Sequence, residues 1–319
     1  MILIMSQYTD YATTQVINWL QYYGKKFIRI NGDSHYNILE ISDDEILVRR
    51  DGQLYNLYDC DSYWYRRCSI FPIHVNANPN KVLSDNHLLQ CMKYPITAEY
   101  EVVREHIYRN IENKIGFSHC IGKYCNRSLN KLDVIKIAKS IGLQVPKTFL
   151  ISSKECLWKH MKDSVLITKA ASESIYSSDN DNYYVSYTTQ INENNITYLP
   201  SDFMVSLFQE KIEKKYELRI FYLSGKLYPS VIFSQEYPDG LTDCRRSSQY
   251  RYLPYKLPKD IILKLRRLMK QINLRTGSID MIVDKNGHYI FLEINPVGQF
   301  VAYGEFCNYY LDREMAKIL

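Results

Sequence analysis

Asp280, Glu293 and Asn295 are the residues whose types and spacing point most directly to chemistry. The segment Ser278–Asn295 reads S-I-D-M-I-V-D-K-N-G-H-Y-I-F-L-E-I-N, two β-rich runs joined by Asn286-Gly287. Both loop residues tolerate the positive φ of a type I′ turn. With Asn286 and Gly287 as the loop, Lys285 opposes His288 and, counting outward, Asp280 opposes Glu293. Like charges directly opposed destabilise a sheet, and two buried carboxylates do not both ionise cheaply. A divalent cation between them removes both penalties, and Asn295 adds a neutral oxygen on the same face. All-oxygen ligands favour Mg²⁺ or Mn²⁺ over zinc. The same spacing equally fits two carboxylates solvated at a sheet margin, with no ligand at all.

Lys169 and Arg219 are the cations expected opposite this trio. A lysine that ends the apolar run Val165–Thr168 must reach solvent or an anion, and phosphate suits its point charge. Arg219 shares a strand face with Glu217 by two-residue alternation. The two either bind different groups of one ligand or pair with each other on the surface.

The elements that position these residues follow from pattern. Met1–Met5 reads as a strand, and a helix with the stripe Val16, Ile17, Leu20 and Tyr23 stops at Gly24. Phe27–Ile30 returns as a second strand, a βαβ-like opening. Glu45–Leu57 reads as a hairpin across Asp51-Gly52. Tyr63–Arg67 is an aromatic and basic cluster, either a site for an acidic group or a strand edge with solvated arginines. Leu129–Ile141 is an amphipathic helix with Leu132, Ile135, Ala138 and Ile141 inward. Val165–Lys169 is a buried-type strand, and Ser177–Asn195 a polar loop or flap. Tyr216–Phe233 forms a hairpin at Ser224-Gly225, Lys259–Ile272 a helix, and Glu305–Leu319 a final helix.

Composition sets the outer limits. The 319 residues suffice for two or three domains with a sizeable core. A formal charge of +5 admits an anionic ligand such as a nucleotide or acidic peptide, and is too weak to argue for a nucleic-acid partner. The 29 tyrosines fit either a stacking surface or a biased genome composition. No apolar run is long enough for a membrane helix, and Met1–Met5, a five-residue strand-like run, is expected not to be a signal peptide. The eight cysteines contain no C-x-x-C pair, so reduced thiols in a cytoplasmic protein are expected. The seven histidines form no metal-ligand spacing.

The order of motifs resembles the ATP-grasp superfamily. The matching stretches are Asn130-Lys131, Val165–Lys169, Gln209–Ile212 followed by Glu217 and Arg219, and Ile279-Asp280 with Phe291–Pro296 (F-L-E-I-N-P). The resemblance implies an α+β fold: an N-terminal α/β domain over 1–120, a central ATP-grasp domain over 121–207, and a C-terminal one with the metal site over 208–319. The resemblance further implies that ATP lies between the last two. By motif position, Lys131 and Lys169 are implied as phosphate-side lysines, Glu210 and the Ile212 backbone as adenine contacts, and Glu217 as the ribose ligand. Arg219 is implied at the terminal phosphate, and Asp280, Glu293 and Asn295 as ligands of two Mg²⁺ ions.

Further stretches are similar to the graspetide synthetases, the microviridin-type and "grasp-with-spasm" maturases. They are Tyr63–Arg67, Gly142–Thr148, Lys215–Arg219 and Asn295–Phe300. That group installs side-chain ester or amide links in a genetically encoded precursor peptide with leader and core segments. Asp243, with Arg245 or Arg246, precedes the Tyr-rich, Leu-Pro segment Tyr252–Pro258 and is implied near the acceptor. A homodimer is a further expectation of the group. The rival expectations are a RimK- or glutathione-synthetase-like ligase acting on free amino acids, and an ATP-binding module without turnover.

Overall fold

The computed structural model of the chain describes residues 1–34, 36–67, 86–124, 129–172, 176–178, 182–236, 242 and 250–319. Two compact units result, Met1–Arg127 with Tyr310–Leu319, and Ser128–Tyr309. No described helix is long and apolar enough to cross a membrane.

In the first unit, β1 (Ile2–Ser6), α1 (Tyr11–Tyr22) and β2 (Phe27–Asn31) form the expected βαβ opening, with β1 and β2 parallel. β1 is buried along its length, as suits an unbroken apolar run inside a parallel sheet. β3 (Asn37–Ile41), β4 (Ile46–Arg50) and β5 (Gln53–Asn56) make a separate antiparallel sheet. Asp51 and Gly52 both take positive φ between β4 and β5, as the hairpin reading required. β6 (Ser62–Tyr65), the long helix α2 (Asn86–Ile115) and β7 (Cys120–Ile121) complete the chain's first part, and the parallel sheet runs β2-β1-β6-β7.

The Tyr63–Arg67 cluster differs from both of its sequence readings. β6 is an inner strand, so Tyr63, Trp64 and Tyr65 are buried, and Arg66 is only 3% exposed. Its acidic partner is internal: Arg66 Nε lies 3.2 Å from Asp10 Oδ2, and Arg67 Nε lies 3.6 Å from the same oxygen. Asp10 also caps α1, accepting a hydrogen bond from the Thr13 N–H at 3.0 Å.

The second unit opens with α3 (Lys131–Ser140), capped by the Asn130 side chain, which accepts from the Leu132 and Asp133 N–H groups. Val134, Ile135 and Ala138 face inward, whereas Leu132 is half-buried. β8 (Thr148–Ser153), α4 (Lys154–Met161) and β9 (Leu166–Thr168) follow. Val165, expected inside, is exposed. The polar stretch Ser177–Asn195 is not one loop. β10 (Tyr176–Ser178) pairs with β11 (Tyr183–Val185), then come β12 (Thr189–Gln190) and α5 (Glu193–Thr197). Strands this short carry too few residues to show a period. β13 (Asp202–Glu210) runs unbroken across positions 207 and 208 and completes a small antiparallel sheet, β12-β9-β13-β8.

The larger sheet has the order β16-β15-β14-β17-β18. It comprises β14 (Lys214–Leu223), β15 (Lys226–Ile232), β16 (Tyr252–Pro254), β17 (Thr276–Asp284) and β18 (Tyr289–Asn295), with α6 (Lys259–Gln271) between β16 and β17. One face carries Leu218, Ile220, Ile279, Met281, Phe291 and Ile294 into a core shared with α3 and α6. The expected final helix is two, α7 (Val301–Phe306) and a C-terminal helix Leu311–Ile318, because Asn308 and Tyr310 take left-handed φ between them. The C-terminal helix packs in the first unit, where Asp312 accepts a hydrogen bond from Trp19 Nε1 at 2.8 Å.

Asp10→Ala would remove the carboxylate that faces the buried Arg66 guanidinium, and would also uncap α1. The expected loss is about 3–5 kcal/mol of stability in urea unfolding, and an unchanged midpoint would contradict this role for Asp10.

Candidate active site

The site is the other face of the large sheet. Side chains alternate along a strand, so while Leu218, Ile220, Ile279 and Met281 enter the core, Glu217, Arg219 and Asp280 emerge opposite. Arg219 on β14 is register partner to Asp280 on β17, and Asp280 is partner to Glu293 on β18. Beyond the core-facing pair Ile279–Ile294, Ser278 and Asn295 are the next pair with the facing of Asp280 and Glu293.

The Asp280–Glu293 pairing agrees with the sequence reading, but the turn that was to produce it does not. Asn286 does not take positive φ; Gly287 alone does, at +86°. Asp284 accepts backbone hydrogen bonds from Gly287 through its carbonyl, and from Asn286 and His288 through its carboxylate. Three residues therefore link Asp284 to His288, which shifts the pairing by one, so that Met281 meets Phe291 and not Leu292. A bulge at Leu292 restores the register before Asp280. Phe291 and Ile294 thus both enter the core while Glu293 joins Asp280.

Each carboxylate already holds cations. Arg219 Nη1 donates to Asp280 Oδ2 at 2.7 Å. Lys169, just past the end of β9, places Nζ 3.1 Å from Glu293 Oε2. Lys131, in the first turn of α3, places Nζ 3.4 Å from the same oxygen. Arg219 also lies over the Tyr303 ring, 5.3 Å from its centroid, a contact that no sequence period announces. Glu217 lies on this face too, with Oε1 accepting from Lys214 Nζ and from Ser234 Oγ, each at 2.6 Å. Sequence reasoning missed Lys214. Residues three apart in a regular strand point to opposite faces, and only the irregularity between Lys214 and Tyr216 brings them together.

Burial, with repulsion from Glu293 and Glu217, pushes the Asp280 carboxyl up to about 7 against the pull of Arg219. Burial also works to raise Glu293, but Lys169 and Lys131 outweigh it and hold that carboxyl at about 2.

The remaining expected residues lie nearby in the chain but outside this ion-paired set. Glu210, at the end of β13, accepts from the Lys147 N–H at 3.0 Å. Lys211 donates its N–H to the Val165 carbonyl, and Ile212 follows in the link to β14. Asn295 Oδ1 accepts from the Val297 N–H at 3.1 Å, and the turn continues into Gly298. A Cβ there would fall on Ser278 Cβ and Oγ, so Gly298 is required for the turn to close on β17. Asp243, Arg245 and Arg246 lie outside the described residues.

Among the described residues no three of His, Cys, Asp and Glu gather as for a metal. A divalent ion would therefore draw on the two carboxylates and the Asn295 amide oxygen. The donor chemistry fits Mg²⁺, being all oxygen, and the ammonium groups on Glu293 occupy the place of a cation.

No protein-family model matches the sequence, and no curated protein does. Solved structures do match, over essentially the whole chain. A RiPP-associated ATP-grasp ligase from Chryseobacterium gregarium, in complex with ADP and a leader and core peptide, aligns with a TM-score of 0.80 at 23% identity, over 99% of this chain and 94% of its own. The macrocyclase MdnC from Microcystis aeruginosa, bound with precursor peptide MdnA, aligns with a TM-score of 0.76 at 24% identity, over 100% and 99%. The ATP-grasp ligase PsnB, complexed with a variant precursor, Mg and ADP, aligns at 0.72 and 14% identity, over 99% and 96%. The fold is the α+β ATP-grasp fold.

The Glu293 carboxyl sits below its ordinary value of 4.5, so its contribution to stability is full above about 4.5 and is lost as pH falls toward about 2. Lys169→Met removes the largest pull keeping it ionised. Acid unfolding followed by circular dichroism should move to higher pH in that variant; coincident curves would contradict the assignment.

Proposed function

We propose that this chain is an ATP-dependent, ADP-forming carboxylate ligase that closes side-chain ester or amide links in a ribosomal precursor peptide. What carries the reading is the convergence of Lys131, Lys169 and Arg219 on the opposed pair Asp280 and Glu293, within a fold whose matched structures hold ADP and precursor peptides. ATP and Mg²⁺ (two ions, with Mn²⁺ a substitute) complete the reactants.

In this reading an Asp or Glu carboxylate of the peptide attacks the γ-phosphorus, the bond to the bridging oxygen breaks, and ADP leaves. A Ser or Thr hydroxyl, or a Lys amine, of the same peptide then attacks the acyl phosphate carbon, and phosphate departs as the ring closes. Arg219 spreads its planar guanidinium over the terminal phosphate oxygens, while Lys131 and Lys169 neutralise charge on the others. Glu210 and the Ile212 backbone face the adenine, and Glu217 the ribose. Asp280, Glu293 and Asn295 would hold Mg²⁺, which supplies a hard cation to the triphosphate oxygens when bound.

Asp243 as proton acceptor, and Arg245 or Arg246 as the clamp on the incoming carboxylate, belong to the same proposal on resemblance alone. So do a homodimer and a division of the chain into domains over 1–120, 121–207 and 208–319, while cytoplasmic action is proposed from the expected reduced thiols.

Incubation with ATP, Mg²⁺ and the genomically adjacent precursor should release ADP and lower the peptide mass by one water per bond. A heavier product would transfer the reading to a ligase of free amino acids, and an inert precursor would count against it. Arg219→Lys should reduce kcat by on the order of 100-fold, since an ammonium cannot reproduce the guanidinium fork. Unchanged turnover would remove Arg219 from the chemistry.

A further inference from the structure

The metal side of the site is held by the protein's own cations. Lys131 and Lys169 arrive from different elements, α3 and the end of β9, yet both ammonium groups settle on one oxygen, Glu293 Oε2. Their side chains are 18% and 15% exposed, and neither has another acceptor among the described residues. Each ammonium offers three donors, so most of their hydrogen-bonding capacity is unspent. Counting Arg219 and Asp280, three cations here face two carboxylates.

We propose that Lys131 and Lys169 are internal place-holders for a divalent cation at Glu293, so that this chain takes up metal tightly only after a polyphosphate has drawn both ammonium groups away. The proposal rests on the ATP-ligase reading and adds to it the coupling between the two ligands. A divalent ion arriving alone would have to share Glu293 with two ammonium charges, or displace them into a partly buried place with no partner. A triphosphate removes that obstacle, because its many oxygens satisfy the donors that a single carboxylate oxygen leaves idle. Nucleotide and metal are therefore linked, and by reciprocity each tightens the other. The excess positive charge of the resting site also makes it an anion site before it is a metal site.

The test measures Mn²⁺ binding by the electron paramagnetic resonance of free Mn²⁺, on the full chain. Ordinary ligation of Mn²⁺ by the nucleotide predicts no change in nucleotide-free affinity when a lysine is removed. The place-holder account predicts a gain. The double variant Lys131→Met, Lys169→Met should bind Mn²⁺ without nucleotide about 5–150-fold more tightly than wild type, the usual span of a coupling between sites. Adding Glu293→Gln to that variant should abolish the gain. Circular dichroism checks that each variant is folded, and the wild type supplies an arm that needs no variant: with AMPPNP added, Mn²⁺ must be held more tightly than by the same AMPPNP without protein. Equal or weaker nucleotide-free binding in the double variant, or no tightening by wild type beyond AMPPNP alone, overturns the proposal. If AMPPNP binds normally while the variant gains nothing, only the coupling falls; if AMPPNP does not bind at all, the ATP-ligase reading falls with it.

Discussion

Asp280 and Glu293 stand directly opposite each other on neighbouring strands, and that juxtaposition of like charges has to be answered by cations. The second unit answers it three times over. Arg219 comes from the adjacent strand β14, Lys131 from the first turn of α3, and Lys169 from the end of β9 in the smaller sheet. Elements far apart in sequence are thus tied electrostatically to one patch of sheet. The result is an asymmetric pair of acids, with Glu293 held ionised by two lysines and Asp280 driven upward by its burial.

The patch exists because the opposite face of the same strands is committed to the core. Leu218, Ile220, Ile279, Met281, Phe291 and Ile294 pack against α3 and α6, which fixes which way every alternate residue points. A one-residue slip would send Glu293 into that apolar layer. The three-residue turn before His288 introduces such a slip, and the bulge at Leu292 cancels it. Two irregularities of opposite sense therefore place one functional carboxylate.

Much of this was legible in the sequence where a local rule governs. The Asp51-Gly52 and Ser224-Gly225 hairpins, the helices α3 and α6, and Val16, Ile17 and Leu20 of the α1 stripe follow from residue type and spacing, whereas Tyr23 lies past the end of α1 and is exposed. Less was legible where a long-range contact decides. Arg66 reads as a solvated arginine until β6 is seen to be an inner strand with Asp10 at its end. The helix Asn86–Ile115 contains Pro95, and the short strands between Tyr176 and Gln190 carry no period. For the site, Asp280 opposite Glu293 was read correctly from a turn that differs, since an undetected bulge offset an undetected loop residue. The shared hold of Lys131 and Lys169 on one oxygen had no sequence signal, as nothing local relates position 131 to 169.

The account stands or falls on whether this sheet face handles a metal–nucleotide complex. The most direct measurement is anomalous diffraction from crystals of the chain grown with AMPPNP and Mn²⁺. The account predicts anomalous density beside the carboxylates of Asp280 and Glu293 and the Asn295 amide oxygen, with Lys131 and Lys169 turned from Glu293 onto phosphate oxygens. Nucleotide bound elsewhere, or Mn²⁺ remote from these three side chains while both lysines keep their hold on Glu293, would contradict it.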